Sequence, residues 1–200
     1  MESGMGQKIR SRMMSAAAVF TVVLLGGCVV SMRGFSGVDN EAKREYLAYA
    51  AAETPVCLTL SGASFVDAQA NASEVTAAAA ESASGAVFGS PARFTADCAS
   101  TAHPEYRIVI LANVAIVGSP DQLCEEDTFP TRQTVGKLRL DAAFCAASEP
   151  LSTAWSEAPS PTGASDPVFQ RMIHSMMNEL FPIERDRDRD SDILLISNFN

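Results

Sequence analysis

The sequence predicts an α+β domain, and three observations carry the prediction. Four apolar or alternating runs, at 56–60, 93–98, 106–117 and 134–146, are punctuated by turn-forming residues. Segments with helical character occupy 40–52, 71–87 and 166–182, each opened by an Asn or Asp suited to cap a helix. From residue 56 onward their order is β-α-β-β-β-α, which predicts a mostly antiparallel four-stranded sheet with helices packed on one face.

Each element has a local reason. Asn40-Glu41 opens the first helix, Leu47 and Ala50 share one side of it, and Thr54-Pro55 ends it. Val56-Cys57-Leu58-Thr59-Leu60 alternates as a half-buried strand does. Asn71, with Glu74 three residues later, has the spacing of a cap before an alanine-rich helix that Gly89-Ser90-Pro91 stops. Phe94, Ala96 and Cys98 fall on one face of the second strand. The run YRIVILANVAIV from Tyr106 is apolar on both faces, which places it centrally in the sheet. TVGKLRLDAAFCA from Thr134 forms the fourth strand, and the Pro- and Ser-rich stretch 149–165, with Trp155, reads as a loop. Asp166-Pro167 opens the last helix. Its stripe of Phe169, Met172, Ile173, Met176 and Leu180 is expected to pack on the sheet, with His174 on the solvated side. The alternating charges of ERDRDRDRDSD, from Glu184, make residues 183–200 a flexible tail. Ile193 and Ile196 could add an edge strand there. Asp186, Asp188 and Asp190 lack the glycine and the glutamate that a calcium loop needs.

The N-terminus is of another kind. Lys8, Arg10 and Arg12 precede an uncharged run over 13–32 whose most apolar part spans 16–25. A basic region, a short apolar region and small residues make a secretory signal peptide. Leu25-Gly26-Gly27-Cys28 resembles the lipobox of bacterial lipoproteins: a branched apolar residue, two small residues and a cysteine. That resemblance implies cleavage by signal peptidase II before Cys28, a diacylglycerol on the Cys28 thiol and acylation of the new amine. Two competing readings are a retained transmembrane anchor, since a span needs about 20 apolar residues, and conventional cleavage leaving Cys28 an ordinary thiol. The expected division is a signal peptide over 1–27, a tether over 28–39, a single periplasmic domain over 40–182 and the tail. Position 29 is Val rather than the Asp associated with inner-membrane retention, so the lipoprotein resemblance implies the outer membrane, facing the periplasm.

The whole chain carries 15 Lys and Arg against 24 Asp and Glu; residues 1–27 hold three and one of these, so the remaining 173 carry a net charge of −11. Such a surface argues against nucleic acid as a partner and against docking on anionic lipid headgroups by charge. Beyond Cys28 there are four cysteines, Cys57, Cys98, Cys124 and Cys145, an even number that predicts two disulfides in an exported chain. With no CxxC spacing and only His103 and His174 available, no metal site and no cofactor is expected. A Ser-His-Asp site is not legible either. There is no GxSxG elbow, no phosphate-binding glycine loop, and Glu125-Glu126-Asp127 are adjacent loop acids of the kind solvent holds.

The strand order also gives an expectation for connectivity. If successive strands alternate in direction, Cys57 and Cys124 lie at one end of the sheet and Cys98 and Cys145 at the other. Long strands span about 35–40 Å at ~3.3 Å per residue, and bridged Cα atoms sit only about 4.4–6.8 Å apart. The expected pairs are therefore Cys57–Cys124 and Cys98–Cys145, unless a strand stops early or its loop folds back. The functional expectation is a non-catalytic envelope lipoprotein that binds the membrane through its lipid and serves an unknown envelope protein partner or an apolar ligand. The alternating helices and strands loosely resemble small envelope-assembly and transporter-auxiliary lipoproteins of Gram-negative bacteria. A periplasmic hydrolase with an unrecognised site, testable at His103, is the alternative.

Overall fold

The structure is a computed structural model that describes residues 28–62, 71–115, 119–125, 129–130 and 136–183. Residues 1–27, where the signal peptide is expected, and the charged segment from residue 184, with the expectations for Asp186, Asp188, Asp190, Ile193 and Ile196, lie outside the described residues. Among the described residues no helix is long and apolar enough to cross a membrane.

The fold is α+β, as the element pattern predicts, but the sheet has six strands and is mixed. Chain order is β1 (Val30–Ser36), α1 (Asn40–Ala50), β2 (Val56–Ser61), α2 (Ala72–Ala83), β3 (Phe94–Thr95), β4 (Tyr106–Ala112), α3 (Gln122–Glu125), β5 (Lys137–Ala146), β6 (Glu149–Pro159) and α4 (Pro167–Leu180). In space the strands run β1-β6-β5-β4-β2-β3. The three contacts among β1, β6, β5 and β4 are antiparallel, whereas β4 and β3 flank β2 in parallel.

The two added strands replace expected irregular segments. Residues 30–36 of the expected tether form β1, so the sheet includes residues before 40. The Pro- and Ser-rich loop is largely β6, eleven residues that pair with both β5 and β1. Apart from Leu151, its core-facing residues are small, and Ser152 and Ser156 are fully buried. Their hydroxyls are satisfied: Ser152 Oγ donates to the Leu180 carbonyl at 3.1 Å, and Ser31 Oγ donates to Ser156 Oγ at 2.9 Å. Small hydroxyl residues thus let α4 lie close on the sheet without an orphaned polar atom.

Asp39, one residue before the expected Asn40, caps α1, its side chain accepting from the Ala42 amide, and Asn71 and Asp166 cap α2 and α4 in the same way. α2 ends at Ala83, ahead of the expected stop at Gly89-Ser90-Pro91, because Ser84 leaves the helical region with a ψ of 118°. The stripe Phe169, Met172, Ile173, Met176 and Leu180 is buried against the sheet, and His174 is exposed. These side chains meet Leu58, Ile108, Ile110, Leu140 and Phe144 in one large core. Lys43 of α1 is also buried; its Nζ donates to Asn40 Oδ1 at 3.2 Å, and burial, with Arg33 nearby, lowers its pKa against the opposing pull of Asp39.

A smaller apolar cluster covers the opposite face of β4 and β5: Val109, Leu111, Ala143 and Cys145 under Leu123 and Cys124 of α3. This layer exists because β4 ends at Ala112, well short of the expected 106–117. Asn113 adopts a left-handed φ of 52° and its side chain accepts from the Arg139 amide. A short polar side chain tolerates that backbone, and the chain turns back over the sheet.

Candidate functional site

The cysteines show how far topology departs from the expected strand alternation. The bridges are Cys57–Cys98 and Cys124–Cys145, not Cys57–Cys124 and Cys98–Cys145. β3 is only two residues long, so Cys98, in the 3-10 turn Cys98–Ser100, never travels to the far end of the sheet. Ala96 is exposed rather than sharing a buried face with Phe94. β4 runs parallel to β2, which puts Cys57 beside Arg107 and Arg107 beside Cys145 in one row. α3 folds back onto that row, and Arg107 Nη2 donates to the Cys124 carbonyl at 2.6 Å. Both bridges therefore stand at the same end of the outer face, on either side of Arg107.

Cys28, the proposed lipidation residue, is a free and exposed thiol. Val29 packs against the main core and Val30 already pairs with Glu157 of β6. Directly opposed residues of antiparallel strands share a face, so Val30 and Met32 lie on the outer face with Glu157 and Trp155. Between Arg33 and Ser36 the register shifts by one residue, and Gly34 and Phe35 together oppose Thr153. The Phe35 amide donates to Thr153 Oγ1 at 2.7 Å. The bulge thereby moves Phe35 onto the same face as Val30 and Met32. Further along, the Arg139 guanidinium lies 4.6 Å from the centre of the Trp155 ring and grips Asp141 with bonds of 2.9 and 3.0 Å. Lys137 Nζ bonds Glu157 at 2.7 Å and holds its carboxyl below the usual range.

Two clefts open on the helical side. One of about 820 Å³ lies between α2 and α4, where Glu74 and Glu81 face Arg171 and His174. The other, about 480 Å³, runs beside α1. There Arg44 is tied to the carbonyls of Phe88 and Phe181 at 2.6 and 3.3 Å. Near the end of α1, Tyr46 stacks on Tyr106 at 5.8 Å and Tyr49 contacts the His103 ring at 4.3 Å. Burial and the neighbouring Tyr46, Glu105 and Tyr49 raise the Tyr106 pKa.

The side chains that a hydrolase would need do not converge. His103 Nδ1 lies 3.3 Å from Glu105, whereas His174 meets Asn178; among the described residues no Ser, Thr or Cys hydrogen-bonds to either ring. Glu125 is exposed at the end of α3, and Glu126 and Asp127 lie outside the described residues. Among the described residues no group of three or more His, Cys, Asp or Glu is arranged to hold a metal ion. Sequence reasoning missed the outer face of β1 and β6; the alternation Val30-Ser31-Met32 and the single Trp155 were its only local signals.

No protein-family model matches the chain, and no curated protein does. Among solved structures it is similar to a variant PelC dodecamer from Paraburkholderia phytofirmans, with 12% sequence identity and a TM-score of 0.40, over 77% of this chain and 97% of that one.

Proposed function

We propose that the chain is a lipid-anchored, non-catalytic protein of the bacterial envelope, held at the periplasmic face of the outer membrane. It acts there as an accessory component in assembly or transport, through a protein partner or an apolar ligand. The observation that carries this reading is Leu25-Gly26-Gly27-Cys28 ending on an exposed cysteine immediately before the first strand. Two disulfides support it, because structural disulfides persist in oxidising compartments. Lipid attachment also needs more than one acyl chain to be stable, and the lipobox chemistry supplies two or three.

Metabolic labelling with palmitate tests the reading. Label is expected in the wild type and lost in Cys28→Ser, and blocking the lipoprotein signal peptidase should leave a heavier precursor. Membrane retention of an unlabelled wild type would favour a retained apolar anchor instead. Density-gradient fractionation with inner-membrane markers would refute the outer-membrane assignment.

A further inference from the structure

We infer that the outer face of β1 and β6 lies on the phospholipid surface, with Val30, Met32, Phe35 and Trp155 at headgroup level. The inference rests on the proposed attachment at Cys28 and adds what that attachment does to the domain. A lipoprotein with a tether floats above its membrane. Here Val29 packs on the core and Val30 is paired, so one residue separates the acylated cysteine from the sheet. Val29 lies one step, at most ~3.6 Å, beyond the acylated residue, and Val30 two steps, at most ~7.2 Å. The headgroup layer of each leaflet is about 5–7 Å deep, half the difference between the full bilayer and its hydrocarbon core. Val29, held against the core, therefore cannot clear the headgroups, and the surface around Cys28 meets lipid.

That surface has the composition such contact favours. Val30, Met32 and Phe35 are 50%, 52% and 45% exposed, far more than apolar residues elsewhere in the sheet. The bulge at Gly34 brings Phe35 to the side of the other two. Trp155 stands opposite Met32, and aromatic rings with a polar edge settle at membrane interfaces. Lys137 and Arg139 lie beside it but are matched by Glu157 and Asp141. The face is thus locally near-neutral in an acidic protein, and contact with lipid rests on apolar burial rather than charge.

Trp155 is the only tryptophan in the chain, so its fluorescence reports this face. The mature acylated protein, beginning at Cys28, is reconstituted into phosphatidylethanolamine–phosphatidylglycerol vesicles containing brominated lipid. Quenching is expected to be strongest from bromines high on the acyl chain, matching a depth of ~5–10 Å, with Trp155 shielded from aqueous acrylamide. Met32→Glu/Phe35→Glu should remain acylated and vesicle-bound while losing bromolipid quenching. Should that variant misfold by circular dichroism, the wild-type quenching profile decides alone. Acylated, vesicle-bound wild type whose Trp155 stays open to acrylamide overturns the inference and leaves the anchor standing. Shielding without bromolipid quenching, in protein that sediments as a multimer, overturns it in favour of a second copy on this face. Absence of acylation at Cys28 overturns both.

Discussion

Replacing both partners of Cys124–Cys145 by alanine tests how the outer layer of the sheet is held. α3 is a single four-residue turn, too short to persist as a helix by itself. Leu123 and Cys124 anchor it to Val109, Leu111, Ala143 and Cys145, and the covalent link crosses that same contact. The bridge joins residues 21 apart, and the loop-closure relation makes this worth about 3.3 kcal/mol at 25 °C. For a domain of this size each kcal/mol moves Tm by about 2–4 °C, so the double variant should melt about 7–13 °C lower. Cys57→Ala/Cys98→Ala removes a link between residues 41 apart, worth about 3.9 kcal/mol, and should melt at least as low. Calorimetry without reductant measures both shifts, and non-reducing peptide mapping checks the pairs. Amide exchange should rise first over 119–125 in the Cys124 variant. A Tm within about 2 °C of wild type would refute the reasoning, because a bridge that restrains the unfolded chain must cost stability when removed. Recovery of a Cys57–Cys124 peptide would refute the topology itself.

Lys43→Met keeps the buried stem and removes the ammonium, and should stabilise by about 1 kcal/mol in urea unfolding. Because the folded pKa of Lys43 lies below its unfolded value, the unfolded state binds more protons between the two, so wild-type stability rises with pH toward ~10.4; Lys43→Met should lose that rise. Asp166→Ala should cost about 1 kcal/mol through loss of the α4 cap. The Thr162 and Val168 amides depress the Asp166 pKa, so its contribution is present above ~3.9 and lost as pH falls through the lower folded value; acid titration of the variant should lack that component. Gly34→Ala places a methyl against Thr153 Oγ1 and should loosen β1, seen as faster amide exchange over 30–36, with Thr153→Ala partly restoring protection.

The chain's local chemistry alone determined α1, α2 and α4, because caps and a 3.6-residue stripe are properties of neighbouring residues. It also determined β2, β4 and β5, whose apolar runs admit no exposed placement, the solvated side of His174, and the presence of two disulfides. Val30–Ser36 could not be read as a strand because Gly34 introduces a bulge that breaks the alternation, and a bulge is defined only against a partner. Glu149–Pro159 looked like a loop because, Leu151 aside, its inward residues are Ser and Ala, suited to the closeness of α4 rather than to hydrophobic burial. The candidate lipid site was legible at Cys28 and no further. Which side chains surround it depends on β1 pairing with β6, strands separated by more than a hundred residues of sequence. Disulfide connectivity was lost for the same reason. Side-chain pattern is a local quantity, whereas strand direction, the early end of β4 at Asn113 and the return of α3 over Arg107 are settled only when distant segments compete for the same sheet edge and the same apolar face.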